Sequence, residues 1–258
     1  MPYSDDTGLV TTALDQGVLT LTLGAGPAHP LSAAMIAELT TALARAADDD
    51  AVRVVVIHGP GKIFCAGHDL KEIARHRSDP DQGLAYIKRL FGDCAILMQA
   101  LTRSPKPTIA RVEGIATAGG LQLMASCDLA FVSEAATFCL PGVNNGGFCT
   151  TPAVAVARNL PRKLIAEMTL SGEVYDATWA RQSGLINRVL PAAELADFIR
   201  DFARKLAGRH GEAVAKGKQT LYRQMEMPLE QAYAHATEVM IGQFMDPVRI
   251  ERDRAKWG

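Results

Sequence analysis

No two cysteines in this sequence stand as CxxC, and no histidine–cysteine ladder occurs, so neither a zinc ribbon nor a redox dithiol is encoded. The five cysteines, Cys65, Cys94, Cys127, Cys139 and Cys149, are scattered and odd in number. They point to a reducing, cytoplasmic compartment without disulfides. Neither sign of charge is in excess: 27 Lys and Arg face 28 Asp and Glu, a formal net charge of −1. Nothing therefore draws the chain as a whole toward nucleic acid or a membrane surface. Residues 1–8 carry neither the basic-then-apolar pattern of a signal peptide nor the Arg-rich pattern of a transit peptide. The longest weakly polar stretch, 114–132, is interrupted by Gln122 and Asp128 and is too broken for a membrane span. Fixed-period repeats and low-complexity linkers are missing too. So is a dinucleotide fingerprint, because Ala118-Gly119-Gly120 lacks the required glycine spacing.

What is present is 258 residues, 48% of them hydrophobic, enough to bury a core without staples. Residues 9–14 and 18–23 flank Asp15-Gln16-Gly17, and Leu19, Leu21 and Leu23 alternate with threonines, which predicts a hairpin. Ser32 is a candidate N-cap for a helix over 33–46, with Met35, Ile36, Leu39 and Leu43 at helical spacing. Strands are expected over 52–57, 108–112 and 128–132, and helices over 84–101 and 119–126. Short apolar strands alternating with helices indicate an α/β architecture whose strands are buried on both faces. From Pro152 onward the pattern is helical: 153–159, 162–170, 176–183, 194–207, 212–225 and 229–244, with one strand-like interruption at 185–190.

Two segments read as loops built for close approach, with tight turns and close helix packing as the plainer reading of the same small residues. Phe64-Cys65-Ala66-Gly67-His68-Asp69-Leu70 has small side chains that let a ligand reach the backbone. Gly114-Ile115-Ala116-Thr117-Ala118-Gly119-Gly120 opens the helix of Gln122, whose first turn leaves amides without intrahelical partners. Two backbone donors converging from different loops are what a developing thioester enolate needs.

These residues resemble a known family. Phe64-x-Ala66-Gly67-x-Asp69-Leu70 is similar to the first oxyanion loop of the crotonase (enoyl-CoA hydratase/isomerase) superfamily, and 112–128, from Val112-Glu113-Gly114 to Cys127-Asp128, to its second. Met168-Thr169-Leu170-Ser171-Gly172 and Gly184-Leu185-Ile186-Asn187-Arg188-Val189 match two further segments in order. The resemblance implies a spiral of ββα units over 1–195 and a helical C-terminal region over 196–258 used for trimer formation, in one continuous fold. It implies an acyl-CoA thioester as substrate, coenzyme A entering only as part of it, and no permanently bound cofactor or metal. The donor amides would be those of His68 and Gly119, with CoA along Cys65, Ala66, Gly67, Asp69 and Leu70, in a trimer or a hexamer of paired trimers.

Where the family's hydratases carry two catalytic glutamates, this sequence has Gln122 and Gly142. An amide and a hydrogen cannot exchange protons as tuned carboxylates do, so ordinary two-glutamate hydration is not supported. Residues 141–152, with Gly67–Leu70 and Gln122, look most like the subgroup called enoyl-CoA hydratase domain-containing proteins. The other polar residues carry plainer readings. His68 contributes its amide, its imidazole facing solvent or, as the alternative, reaching the acyl group as an acid or base. Asp69 braces its loop, with proton transfer as the alternative, and Cys149 is packed and unreactive, with a thiol role as the alternative. Asn144 and Asn145 form a loop. Glu113 is solvated or paired, and His58 ends its strand. Lys216, Lys218 and Arg223 are a solvated helix face, with CoA phosphates as the alternative partner. Met240 and Phe244 serve packing between subunits or in the core.

Overall fold

The computed structural model describes residue 3 and residues 8–258, so the reading of residues 1–8 lies outside the described residues except at Tyr3 and Gly8. The chain opens with the expected hairpin, β1 (Val10–Asp15) and β2 (Val18–Leu23), paired antiparallel. Helix α1 (Ala33–Asp48) follows, and the Ser32 hydroxyl accepts from the Met35 amide at 3.1 Å, a cap of about 1 kcal/mol. Met35, Ile36, Leu39 and Leu43 are buried, as their spacing requires.

Next the chain steps three times from a large sheet to a small one. The pairs are β3 (Val54–Gly59) and β4 (Ile63–Cys65), β5 (Thr108–Val112) and β6 (Ile115–Thr117), and β7 (Leu129–Ser133) and β8 (Thr137–Cys139). The first pair is followed by α2 (Leu70–Arg75) and α3 (Leu84–Arg103), the second by α4 (Gly119–Ser126). After the third come a 3-10 turn (Pro141–Asn145), α5 (Thr150–Val156) and α6 (Arg162–Ser171). A short strand β9 (Tyr175–Asp176), α7 (Ala177–Gln182), β10 (Arg188–Leu190) and α8 (Ala192–Ala207) complete the core. Strand order is β1-β2-β3-β5-β7-β10 in the large sheet and β4-β6-β8-β9 in the small one. All pairs are parallel except β1–β2 and β8–β9. Each repeat therefore lies beside the one before it in both sheets, which is the ββα spiral. No sequence period betrays it because the helical insertions between strand pairs differ in length.

The large sheet is buried on both faces by strict alternation. Leu19, Val55, Ile57, Ala110 and Val132 face the main core, while Val18, Val54, Val56, Ile109 and Phe131 face α8. Phe131 meets Phe198 and Phe202 of α8 edge-on, with ring centroids 5.1 and 5.0 Å apart. Strands β4 and β6 lie in segments read as loops. At three residues each they are too short to display a period. The strand expected over 185–190 shrinks to β10, and Leu185 and Ile186 are buried ahead of it.

Three further helices follow: α9 (Gly211–Gln224), α10 (Leu229–Phe244) and α11 (Pro247–Trp257), the last beyond the helices expected. A buried polar cluster ties α9 to the core. Lys218 Nζ lies 2.7 Å from Asp128 Oδ2 and donates to the carbonyls of Leu101 (2.9 Å) and Lys106 (3.0 Å). Asp128 also accepts from Tyr222 Oη (2.8 Å) and from the Thr108 amide (2.7 Å) and hydroxyl (2.9 Å). This corrects the solvated-face reading for Lys218, though Lys216 and Arg223 are exposed as expected. Helix α10 buries only Ala232, leaving Leu229, Tyr233, Met240, Ile241 and Phe244 exposed, so Met240 and Phe244 are not part of this chain's core.

Removing the shared acceptor strands a buried ammonium. Asp128→Ala should lower unfolding stability by about 3–5 kcal/mol in urea denaturation. A loss below about 1 kcal/mol, the scale of an exposed pair, would show that the cluster does not hold α9.

Candidate functional site at the two glycine loops

The first loop leaves β4 at Cys65 and is pinned to the segment before α1. The Ala66 amide donates to the Ala28 carbonyl (3.0 Å), the Leu31 amide to Gly67 (2.8 Å) and the Asp69 amide to Leu31 (3.4 Å). This isolated parallel bridge uses the groups on either side of His68 and turns the His68 amide the other way. Gly67 has φ +85°, which glycine adopts freely. Asp69 accepts from the amides of Lys71 (2.9 Å) and Glu72 (3.1 Å), capping α2, so it braces the loop as expected.

The second loop leaves β6 at Thr117. Ala118 donates to the Cys139 carbonyl at 3.1 Å and takes φ +50°, a conformation that costs a residue with a Cβ about 1–3 kcal/mol. That strained step starts α4 at Gly119, where the first amides have no partner one turn back. The two loops meet backbone to backbone. A Cβ on Gly67 would stand 2.8 Å from the Gly119 nitrogen, and one on Gly120 would stand 1.9 Å from the Cys65 oxygen. Among the described residues, neither the His68 nor the Gly119 amide donates to a protein acceptor.

The side chains around this contact are uncharged. The His68 ring is not toward solvent, which corrects the expectation. It packs edge-on against Phe91 of α3 at 4.9 Å, and its Nδ1 lies 3.4 Å from where a Gly119 Cβ would stand. Its Nε2 is buried without a partner, and burial holds its pKa below the usual imidazole value. Gln122, one turn along α4 from Gly119, is 4% exposed, and its Oε1 is likewise buried and unpartnered. Cys65 is buried, its thiol pushed up to about 12 by desolvation, and burial also raises the Cys149 thiol, in keeping with the unreactive reading. Ala66 is half-buried, and Leu70 at the start of α2 is exposed. Phe91, Leu31 and the Ala118 strain were not singled out in the sequence. Only the three-dimensional contact marks them.

Gly142 lies in the 3-10 turn after β8, and the loop that returns through Phe148 closes on it. A Cβ there would stand 2.6 Å from the Cys149 nitrogen and 2.8 Å from the Phe148 carbonyl carbon. The position lacks a carboxylate and also has no room for one. Asn144 donates to the Gly172 carbonyl at 3.1 Å, a loop-forming role as expected. Glu113 pairs with Arg111, and His58 Nε2 lies 3.3 Å from Glu113 Oε1, on β3 and away from this site. Two open clefts elsewhere share His210, Glu212 and Arg252 and hold no buried, unpartnered polar atom. Among the described residues no group of three or more His, Cys, Asp and Glu could hold a metal, and no helix is long and apolar enough to cross a membrane.

A two-sheet spiral whose successive turns bring two glycine loops into backbone contact defines a crotonase-type protein. The family model described as enoyl-CoA hydratase/isomerase matches residues 14–253, and the chain belongs to that family. A crystal structure of an enoyl-CoA hydratase/isomerase family protein from Silicibacter pomeroyi is 61% identical, with a TM-score of 0.89 over 93% of this chain and 100% of that one. The human enoyl-CoA hydratase domain-containing protein 3 structure is 35% identical, with a TM-score of 0.89 over 96% of both chains. Rat, human and mouse proteins of that name are 39%, 40% and 38% identical over 213 residues, 83% of this chain and 69% of theirs. All three are named mitochondrial, which overturns the cytoplasmic expectation. Unpaired thiols indicate a reducing environment, and the cytoplasm has no monopoly on one.

Overpacking against backbone sets the next expectation. Gly142→Ala should cost about 1–3 kcal/mol of stability, and Gly142→Glu at least as much. Gln122→Glu, similar in shape and losing no hydrogen bond, should cost less than either when thermal midpoints are compared near pH 5. Equal losses at the two positions would contradict the closed-loop account.

Proposed function

We propose that this protein binds acyl-CoA thioesters and stabilises the thioester enolate with the backbone amides of His68 and Gly119. The observation that carries the reading is the contact of Gly67 with Gly119, beside which both amides lack a protein acceptor. A thioester oxygen that gains negative charge meets two fixed donors and the positive end of α4, a pre-set field that needs no reorganisation. CoA runs along Cys65, Ala66, Gly67, Asp69 and Leu70, and enters only with the substrate. The chain assembles as a trimer or a hexamer of paired trimers, a reading supported by the apolar surface that α10 leaves open.

Ordinary two-glutamate hydration is not supported by these residues. Gln122 cannot accept a proton at accessible pH, and Gly142 is walled in by Cys149 and Phe148. A reaction that forms its enolate without a carboxylate base suits the site better. Decarboxylation of a malonyl-type thioester is one: the bond from Cα to the carboxylate breaks, CO2 leaves, and the electron pair becomes the enolate. A non-catalytic acyl-CoA binder is the second reading, favoured by the same two positions.

Titration calorimetry with butyryl-CoA tests binding, and mass spectrometry of crotonyl-CoA and malonyl-CoA mixtures tests turnover. Butyryl-CoA should bind, and Gly67→Ala should weaken it at least about tenfold, since the new Cβ would displace the Gly119 nitrogen. Crotonyl-CoA should be recovered without added water. No heat with butyryl-CoA would remove the thioester reading, rapid hydration would remove the mechanistic one, and every thioester returned unchanged would leave the binder.

A further inference from the structure

Beyond amides that hold an oxygen, enolate chemistry at an unactivated thioester needs a group that takes the Cα proton. The carboxylates near the loops are engaged elsewhere: Asp69 Oδ1 caps α2, and Glu72 Oε2 accepts from the Ala33 amide at 3.0 Å. The thiols of Cys65 and Cys149 are held protonated by burial, as is the Tyr86 phenol, pushed up to about 12. Gln122 is neutral. One ring remains. His68 sits with Nδ1 over Gly119, carries a buried and unpartnered Nε2, and has its plane set by Phe91.

We propose that the His68 imidazole is a catalytic residue of this site, the base that removes and returns the Cα proton of a bound acyl thioester. The inference rests on the thioester reading above. A carbonyl oxygen held by the His68 amide lies within one residue's reach of that residue's own ring, and the acidic carbon is one bond from the carbonyl carbon. In the step, a ring nitrogen takes the proton and becomes imidazolium. The C–H electron pair forms the Cα–C1 double bond, and the carbonyl π pair moves to the oxygen facing the two amides. Return of the proton reverses each move, and in D2O the imidazolium N–H first exchanges with solvent, so the ring returns deuterium to Cα. Burial keeps the ring neutral near neutral pH, so its lone pair is available. The unpartnered Gln122 Oε1, one turn along α4, lies on the same stretch of helix and is free to accept a hydrogen bond from a water or a substrate donor.

The test exploits the fact that a side-chain change keeps the residue-68 amide. Wild-type protein, His68→Gln and His68→Asn are each incubated with butyryl-CoA in D2O, deuterium at Cα is followed by mass spectrometry, and binding is measured by calorimetry. The wild type should exchange Cα hydrogen, and both variants should bind within about threefold yet lose exchange by roughly 10²–10⁴-fold. Thermal melts confirm that the variants are folded, and two substitutions guard against one failing to fold. Exchange at the wild-type rate in either folded variant overturns the proposal. So does a wild type that binds butyryl-CoA without exchange, while absence of binding overturns the thioester reading and this step with it.

Discussion

The whole site depends on one close approach, the main chain of one spiral turn lying against the main chain of the next at Gly67 and Gly119. A single Cβ on Gly67 would stand 2.8 Å from the Gly119 nitrogen. The proposed function rests on that absence of side chain. The His68 amide, turned away from its bridge to Leu31, and the Gly119 amide, at the open end of α4, flank this contact without a protein acceptor. The strained backbone of Ala118 is the local cost, about 1–3 kcal/mol, held in place by the Cys139 carbonyl.

The spiral makes such a contact possible. Because each turn adds one strand to each of two sheets, consecutive β-to-helix loops stack at the same end of the molecule. The large sheet is clamped between the main core and α8, and the Lys218–Asp128–Tyr222 cluster fastens α9 to the residues that open β5 and β7. A rigid scaffold of this kind can hold strained and unsatisfied groups. His68 Nε2 and Gln122 Oε1 are such groups, polar atoms buried without protein partners, which the proposed ligand would complete.

The proposed departure from two-glutamate chemistry within the enoyl-CoA hydratase/isomerase family rests on two positions. Gln122 keeps the shape of a glutamate without its proton affinity. Gly142 differs more deeply, since the returning loop through Phe148 and Cys149 occupies the space a side chain would need. A sequence shows both as substitutions of equal weight. Packing makes one a change of functional group and the other a change of architecture.

Much was legible in the residues themselves. The β1–β2 hairpin, Ser32 capping α1, strand β5 and helices α4 and α10 follow from alternation, helical spacing and turn chemistry, all local properties of the chain. The motif around Gly67 and Gly119 identifies the family because it must preserve small residues where backbones touch. Strands β4 and β6 were hidden because three residues show no period, and Lys218 was misread because a lysine on a helix face is ordinarily solvated. Its burial depends on Asp128, ninety residues earlier in the chain, an approach only the fold creates. The same holds for the buried imidazole of His68, set by Phe91 on another helix, and for the closed space at Gly142. Local sequence determined which elements form and which residues are small enough to meet. Tertiary structure alone decided which polar atoms lost their water, because desolvation depends on neighbours far away in the chain.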